Sequence, residues 1–346
     1  MNLVFDGHND VLLRLWRSGN PVAEFRNGTS AGHIDAPRAK RGGLAGGLCA
    51  IYIPSPHDFT LREPDANGHY STPLDPPLDR QASLDIAMEM AAIAHRLDQD
   101  GSWRLCRSTR DIRQAMDDGV FAAVMHMEGC EAIDADLDAL EVFYAAGLRS
   151  LGPVWSRHNI FGHGVPFAYP SSPDTGPGLT RAGEDLIRAC NRLGILIDLA
   201  HITEKGFWDV ERLSDQPLIA SHSNVHALTP VARNLTDRQM DAIKASHGLV
   251  GLNYAVTMLR PDGRDDAETS LATMVSHIDY LVDRMGIDCV ALGSDFDGAT
   301  IPNVIGDAAG NQRLVTALKE RGYGAGDLDK ICRENWLRVL ASAWHE

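Results

Sequence analysis

The sequence predicts an α/β protein, a (β/α)8 TIM-type barrel with loop insertions, and three observations carry that expectation. Eight short apolar runs alternate with longer helical patterns along the 346 residues. Most of these runs are continuously apolar, as parallel strands covered on both faces are. Polar residues of metal-binding type gather at the C-terminal ends of the runs, where barrel enzymes carry their chemistry. A doubly wound open sheet is the alternative, but no Gly-x-Gly-x-x-Gly turn follows the first run.

The strands are expected over Asn2–Gly7, Leu48–Ile53, Phe121–Met127, Leu148–Trp155, Gly194–Ala200, Pro217–Ser221, Gly248–Tyr254 and Asp288–Gly293. Helices are expected over Ser83–Leu97, Arg181–Leu193, Thr236–Ala245, Ser270–Met285 and Asn311–Arg321. The first of these has an amphipathic pattern, and the second follows Thr180, a favoured N-cap residue. Asp58–Pro77, rich in Pro, Asp and Gly, reads as a long surface loop. With no linker and no internal repeat, residues 1–346 are expected to form a single domain.

Composition narrows the function. Apolar residues make up 44% and charged residues 23%, ordinary for a soluble globular protein. The net charge of −15 argues against nucleic acid or an anionic membrane as partner. The six cysteines are dispersed with no Cys-x-x-Cys pair, so buried free thiols are expected rather than a disulfide framework. No leader-like segment precedes the first strand and no apolar stretch approaches membrane-spanning length, so a cytoplasmic location is expected.

The strand ends are the informative places. Strand 1 ends in His8 and Asp10, which an extended backbone points to the same side. Strand 3 ends in His126 and Glu128, strand 5 in His201, strand 6 in His222, and strand 8 in Asp295. Five of eight strands thus deliver an imidazole or a carboxylate to one edge of the expected sheet, which suits a divalent-metal site. His126 reads equally well as a core histidine, and Glu128 also fits as a cap for the next helix. Asp198, inside an apolar run, reads as a buried hydrogen-bond partner. The remaining histidines carry no positional signal. The chain has no Gly-x-Ser-x-Gly elbow, no His-Glu-x-x-His helix and no Gly-x-x-x-x-Gly-Lys loop, which sets aside serine hydrolase, zincin and P-loop chemistry.

These pieces, together with Ala-Ser-His-Ser (220–223), Ala-Arg-Asn-Leu (232–235), Gly-Ser-Asp-Phe-Asp-Gly (293–298) and Glu-Asn-Trp-Leu-Arg-Val (334–339), occur in the order found in one group. The chain resembles the renal (membrane) dipeptidase family of zinc peptidases, within the amidohydrolase superfamily. The resemblance implies two Zn2+ per chain: His8 and Asp10 on one, His201 and His222 on the other, and Glu128 bridging them. It implies Arg233 as a substrate-binding residue, suited to a terminal carboxylate, and Asp295 as the proton carrier. The implied reaction is hydrolysis of a dipeptide, L-Xaa-D-Xaa by preference, by a hydroxide bridging the two metals. A homodimer is implied as well. The alternatives are another amidohydrolase-type hydrolysis at the same metal pair, of an amide, lactone or phosphotriester, and a metal-binding barrel that does not catalyse.

One position departs from the family pattern. Where relatives place a substrate-contacting histidine after strand 4, this chain has Trp155, with His158 three residues on. Trp155, His158 and Tyr254 are therefore the residues expected to shape the substrate pocket. The stretch Phe161–Gly178 also diverges, which again concerns specificity.

Overall fold

The computed structural model describes residues 1–57 and 60–346. Eight parallel strands form its centre: β1 (Val4–Asn9), β2 (Leu44–Tyr52), β3 (Phe121–Glu128), β4 (Leu148–Gly152), β5 (Leu196–Ile197), β6 (Ile219–Ala220), β7 (Leu249–Leu252) and β8 (Val290–Leu292). One ladder runs β1-β2-β3-β4-β5 and another β6-β7-β8. Parallel bridges Asp198↔Ile219 and Asn9↔Phe296 join the two ladders at both edges, which closes the barrel.

All eight expected strands are present, and most are shorter than expected. The ladders stop where side chains take over the pairing. Between β5 and β6, Asp198 Oδ1 accepts the Ser221 and Ala200 amides at 2.8 and 3.0 Å. Between β8 and β1, Asp6 accepts the Ser294 amide at 2.6 Å and its hydroxyl at 2.7 Å. Between β6 and β7, the Asn224 side chain donates to Asn253 O and accepts the Asn253 amide, at 3.0 Å each. The backbone is thus freed from regular extension just below the barrel mouth, with its polar groups satisfied.

The helices Arg181–Leu193 and Asn311–Arg321 have the expected bounds. Thr236 and Ser270 lie just outside their helices as N-caps, and Thr236 forms a capping box with Gln239. The first long helix extends to Arg80–Asp100. Several shorter helices escaped the sequence pattern, including Val11–Trp16, Thr109–Asp117, Asp138–Ala146 and Glu204–Leu213. The expected surface loop Asp58–Pro77 needs correction. Within it, Tyr70–Thr72 pairs antiparallel with Phe167–Tyr169, while its Asp58 lies outside the described residues.

The core has two main shells, with a small third cluster of Val231, Ala255 and Met258. The larger lies between strands and helices. The smaller fills the lower barrel, with Phe5, Leu48, Ala122, Val124, Leu196, Ile219, Leu249 and Ala291 against the C-terminal helix Asn335–Ala343. That helix plugs the N-terminal mouth: Trp336 Nε1 donates to Leu292 O at 3.0 Å, and Asn335 Nδ2 donates to Val290 O and Ile287 O at 2.8 Å. A Cβ at Gly7 would stand 2.3 Å from the Trp336 ring and 2.5 Å from Ser221 O, so only glycine fits at this level of β1. Alternate positions of β3 show the resulting polarity: Ala122 and Val124 below, His126 and Glu128 above.

Candidate metal centre and active site

A cavity of about 580 Å3 opens at the C-terminal ends of the strands. Its floor holds Asp10, Glu128, His201, Arg233 and Asp295, and its walls include Tyr52, Trp155, Phe167 and Met258. A pocket of this size suits a small ligand.

The strand-end residues converge. His8 Nε2 lies 3.4 Å from Asp10 Oδ2 and 3.7 Å from Glu128 Oε2. His201 Nε2 and His222 Nε2 lie 3.0 and 3.5 Å from the other oxygen, Glu128 Oε1, and 3.1 Å from each other. Among the described residues donor atoms fall into four overlapping groups, and two of them, His8–Asp10–Glu128 and Glu128–His201–His222, share Glu128; the others are His8–His222–Asp295 and His8–His126–Asp198. His8 sits where the β1–β2 register shifts, between Asp6 and Asn9. His201 and Asp295 have φ of 67° and 58°, left-handed conformations that non-glycine residues rarely adopt.

Burial makes this arrangement electrostatically costly without a cation. Burial works against a charged His8, yet Glu128, Asp10 and Asp295 outweigh it and raise this imidazole to about 10. Burial, with Arg233 and His8 adding, pushes His201 and His222 well below the ordinary imidazole range. Burial likewise raises Glu128 and Asp295, with His8 opposing. Among the described residues, both ring nitrogens of His8 and Oδ1 of Asp10 lack a hydrogen-bond partner. Two imidazole Nε2 atoms facing one carboxylate oxygen, beside unpartnered buried donor atoms, form the donor set of a divalent cation. The residues present fit a metal pair.

Other groups hold this set in place. Ser156 Oγ lies 2.8 Å from His201 Nδ1 and Ser221 Oγ 2.7 Å from His222 Nδ1. Asn253 Nδ2 donates to Asp295 Oδ2 at 3.0 Å. Arg233 is buried, with Nη2 donating to His222 O at 3.2 Å and Nη1 to Ser223 Oγ at 3.4 Å. Its Nε has no partner among the described residues.

Of the expected pocket residues, Trp155 lines the cavity, 5.1 Å from the Tyr52 ring and 5.6 Å from Phe167. Tyr254 and His158 are not among the residues that line the cavity. Tyr254 is buried away from the cavity, its hydroxyl donating to Asn311 Oδ1 at 3.3 Å and its ring packed against Phe296. His158 turns toward His163, with ring centroids 4.6 Å apart. Next to it in the chain, the buried Arg157 guanidinium packs on the Trp155 ring and binds Glu131 and Ile53 O. Tyr52 and Phe167 were not singled out from the sequence, since an aromatic residue at a strand end or in a loop carries no distinguishing signal. Asn253, after the apolar run of β7, gave none either.

A closed eight-stranded barrel with paired histidine–carboxylate clusters at its C-terminal mouth defines a metal-dependent hydrolase. The chain belongs to the membrane dipeptidase family (peptidase family M19), whose profile matches residues 2–345. It is 48% identical to a metallopeptidase from Rhodobacter sphaeroides whose crystal structure holds a phosphinate mimic of the dipeptide L-Ala-D-Ala. That match covers 99% of this chain and all of the other, with a TM-score of 0.96. A second crystal structure, of the M19 metallopeptidase dipeptidase AC, is 49% identical and covers 100% of this chain and 99% of that one, with a TM-score of 0.94. An uncharacterized protein from the pqqA 5′ region of Klebsiella pneumoniae is 50% identical over 265 residues, 76% of this chain and 98% of that protein. The protein is thus a metallo-dipeptidase, a metal-dependent hydrolase of peptide bonds acting on dipeptides. No described helix is long and apolar enough to cross a membrane.

Proposed function

We propose that this dipeptidase carries two Zn2+, with His8 and Asp10 on one, His201 and His222 on the other and Glu128 shared, and that it prefers L-Xaa-D-Xaa substrates. The observation carrying the metal count is the division of the Glu128 oxygens, Oε2 toward His8 and Oε1 toward His201 and His222. The stereochemical preference is supported by the L-Ala-D-Ala mimic held by the Rhodobacter relative.

When bound, the metal pair lowers the pKa of water and polarises the scissile carbonyl. The remaining work falls to the chain itself. Arg233 receives the terminal carboxylate of the dipeptide through its unpartnered Nε, its plane held by His222 O and Ser223. Asp295, held through Oδ2 by Asn253, keeps Oδ1 for the proton that leaves the attacking water and passes to the departing amine. Tyr52, Trp155 and Phe167 wall the cavity beside His201 and exclude water from that side. The proposal includes a homodimer and a cytoplasmic location, which the six buried free cysteines suit.

Hydrolysis of matched L,D and L,L dipeptides by the zinc-loaded protein tests the preference. An advantage of at least about tenfold in kcat/KM for the L,D series, about 1.4 kcal/mol, is expected. Equal rates would overturn it, and metal analysis showing a single zinc per chain would overturn the shared Glu128.

A further inference from the structure

We infer that Asp198, acting through the Ser221 hydroxyl, sets the tautomer of His222 and so keeps its Nε2 available as a metal-binding lone pair. Asp198 ends the β5 side of the barrel and Ser221 the β6 side, and all three residues are buried. The proton inventory of the three groups carries the inference. Asp198 Oδ1 is taken by two backbone amides, Ala200 at 3.0 Å and Ser221 at 2.8 Å. Asp198 Oδ2 accepts the Ser221 hydroxyl at 2.5 Å. A serine hydroxyl has one proton, and here it is committed to the carboxylate. Toward His222 Nδ1, at 2.7 Å, the same oxygen presents only lone pairs. Nδ1 must therefore carry the ring proton, and in a neutral imidazole Nε2 is then the acceptor.

That nitrogen faces Glu128 Oε1 and His201 Nε2. Asp198 thus acts as a positioning residue, one bond removed from the proposed ligand. Ser156 stands in the same relation to the Nδ1 of His201, without a carboxylate behind it among the described residues. The two imidazoles therefore differ in how firmly their tautomers are held, and His222 is the locked one.

The substitution Asp198→Asn inverts the relay without changing its shape. The amide oxygen stays with the two backbone N–H groups, so the amide nitrogen replaces Oδ2 and donates to Ser221. The hydroxyl then turns its proton to His222 Nδ1, and the ring proton moves to Nε2, against Glu128. Histidine-selective 15N NMR of the metal-free protein reads this directly, with the His222 signals assigned by His222→Gln. We expect an Nδ1–H ring in the parent and an Nε2–H ring in Asp198→Asn, with His201 unchanged. Zinc titration against a chromophoric chelator is expected to show the affinity of one site reduced about 10- to 100-fold. An Nδ1–H His222 in Asp198→Asn, or parental zinc affinity, overturns the inference. If Asp198→Asn fails to fold, Ser221→Ala removes the relay oxygen alone. A loss of zinc affinity there supports the inference, and parental affinity overturns it. The inference builds on the proposed metal pair, but the tautomer measurement needs no metal. Its failure is therefore distinct from failure of the metal assignment, which would show as unchanged zinc binding in His222→Gln.

Discussion

His8 and Asp10 leave β1 two residues apart and meet within 3.4 Å, and the other expected ligands close around them. Each is ordinary alone; together they place two carboxylates and three imidazoles, all buried, in one cluster. Arg233 is proposed to hold the substrate carboxylate: its guanidinium is anchored by His222 O and Ser223, and its buried Nε has no partner among the described residues. Arg233→Met is expected to raise KM for dipeptides about 10- to 100-fold while kcat changes little, as for a lost charged hydrogen bond of about 1.5–3 kcal/mol. Steady-state kinetics with a free-acid dipeptide and its C-terminal amide check this. The amide should lose the dependence on Arg233, and an equal effect on both would remove the carboxylate role. Lysine at this position should restore only part of the binding, lacking the planar fork.

At the scale of elements, two packing arrangements stand out. The C-terminal helix seals the barrel floor with Trp336, fully buried against Phe5 and bonded to Leu292 O. Trp336→Ala is expected to destabilise the fold by about 3–5 kcal/mol, read from denaturant unfolding, because the barrel interior cannot collapse into the vacancy. The helix Leu271–Met285 is tied to the loops after β6 and β7 by His277, whose Nδ1 accepts the Val225 amide at 3.2 Å and whose Nε2 donates to Leu259 O at 3.0 Å. Burial, partly opposed by the Leu259 carbonyl, lowers this imidazole from 6.5 to about 4. A depressed histidine leaves the unfolded chain binding more protons between these values. Stability is therefore complete above pH 6.5 and falls as the pH drops toward 4, by about 2 kcal/mol at pH 5 from this residue. Unfolding at pH 7 and pH 5 should show a shallower loss in His277→Gln than in the parent, and parallel losses would remove His277 from the pH response.

At the scale of the molecule, the barrel brings residues from sequence positions 8 to 295 into one centre, so metal binding and folding are linked. Chelation is expected to lower the melting temperature, and zinc at 100 times its dissociation constant to restore about 2.7 kcal/mol per site. Thermal unfolding with EDTA, then with added zinc, checks the linkage, and an unchanged midpoint would break it. We read residues 1–346 as one folding domain, in keeping with a floor helix drawn from the C-terminus.

Strand positions and the polar residues at strand ends were legible because both depend on local pattern: continuous apolar runs, and polar residues at their ends. The same locality explains the misreadings. A short helix such as Val11–Trp16 holds too few turns to show a period, and Tyr70–Thr72 is a strand only because Phe167–Tyr169 lies beside it. His158 was singled out by its position three residues after Trp155, whereas its ring packs on His163 and the Tyr254 hydroxyl bonds Asn311, partners that no local pattern announces.

By itself, the sequence determined the barrel class, the order of its strands and the identity of the residues that meet at its mouth, because hydrophobic period and residue chemistry are properties of short segments. Tertiary structure alone decided which Glu128 oxygen faces which histidines, that Asp198 and Ser221 stand behind His222, and that Trp155 rather than His158 faces the cavity. These are relations between groups far apart in the chain, and only barrel closure brings them within hydrogen-bonding distance.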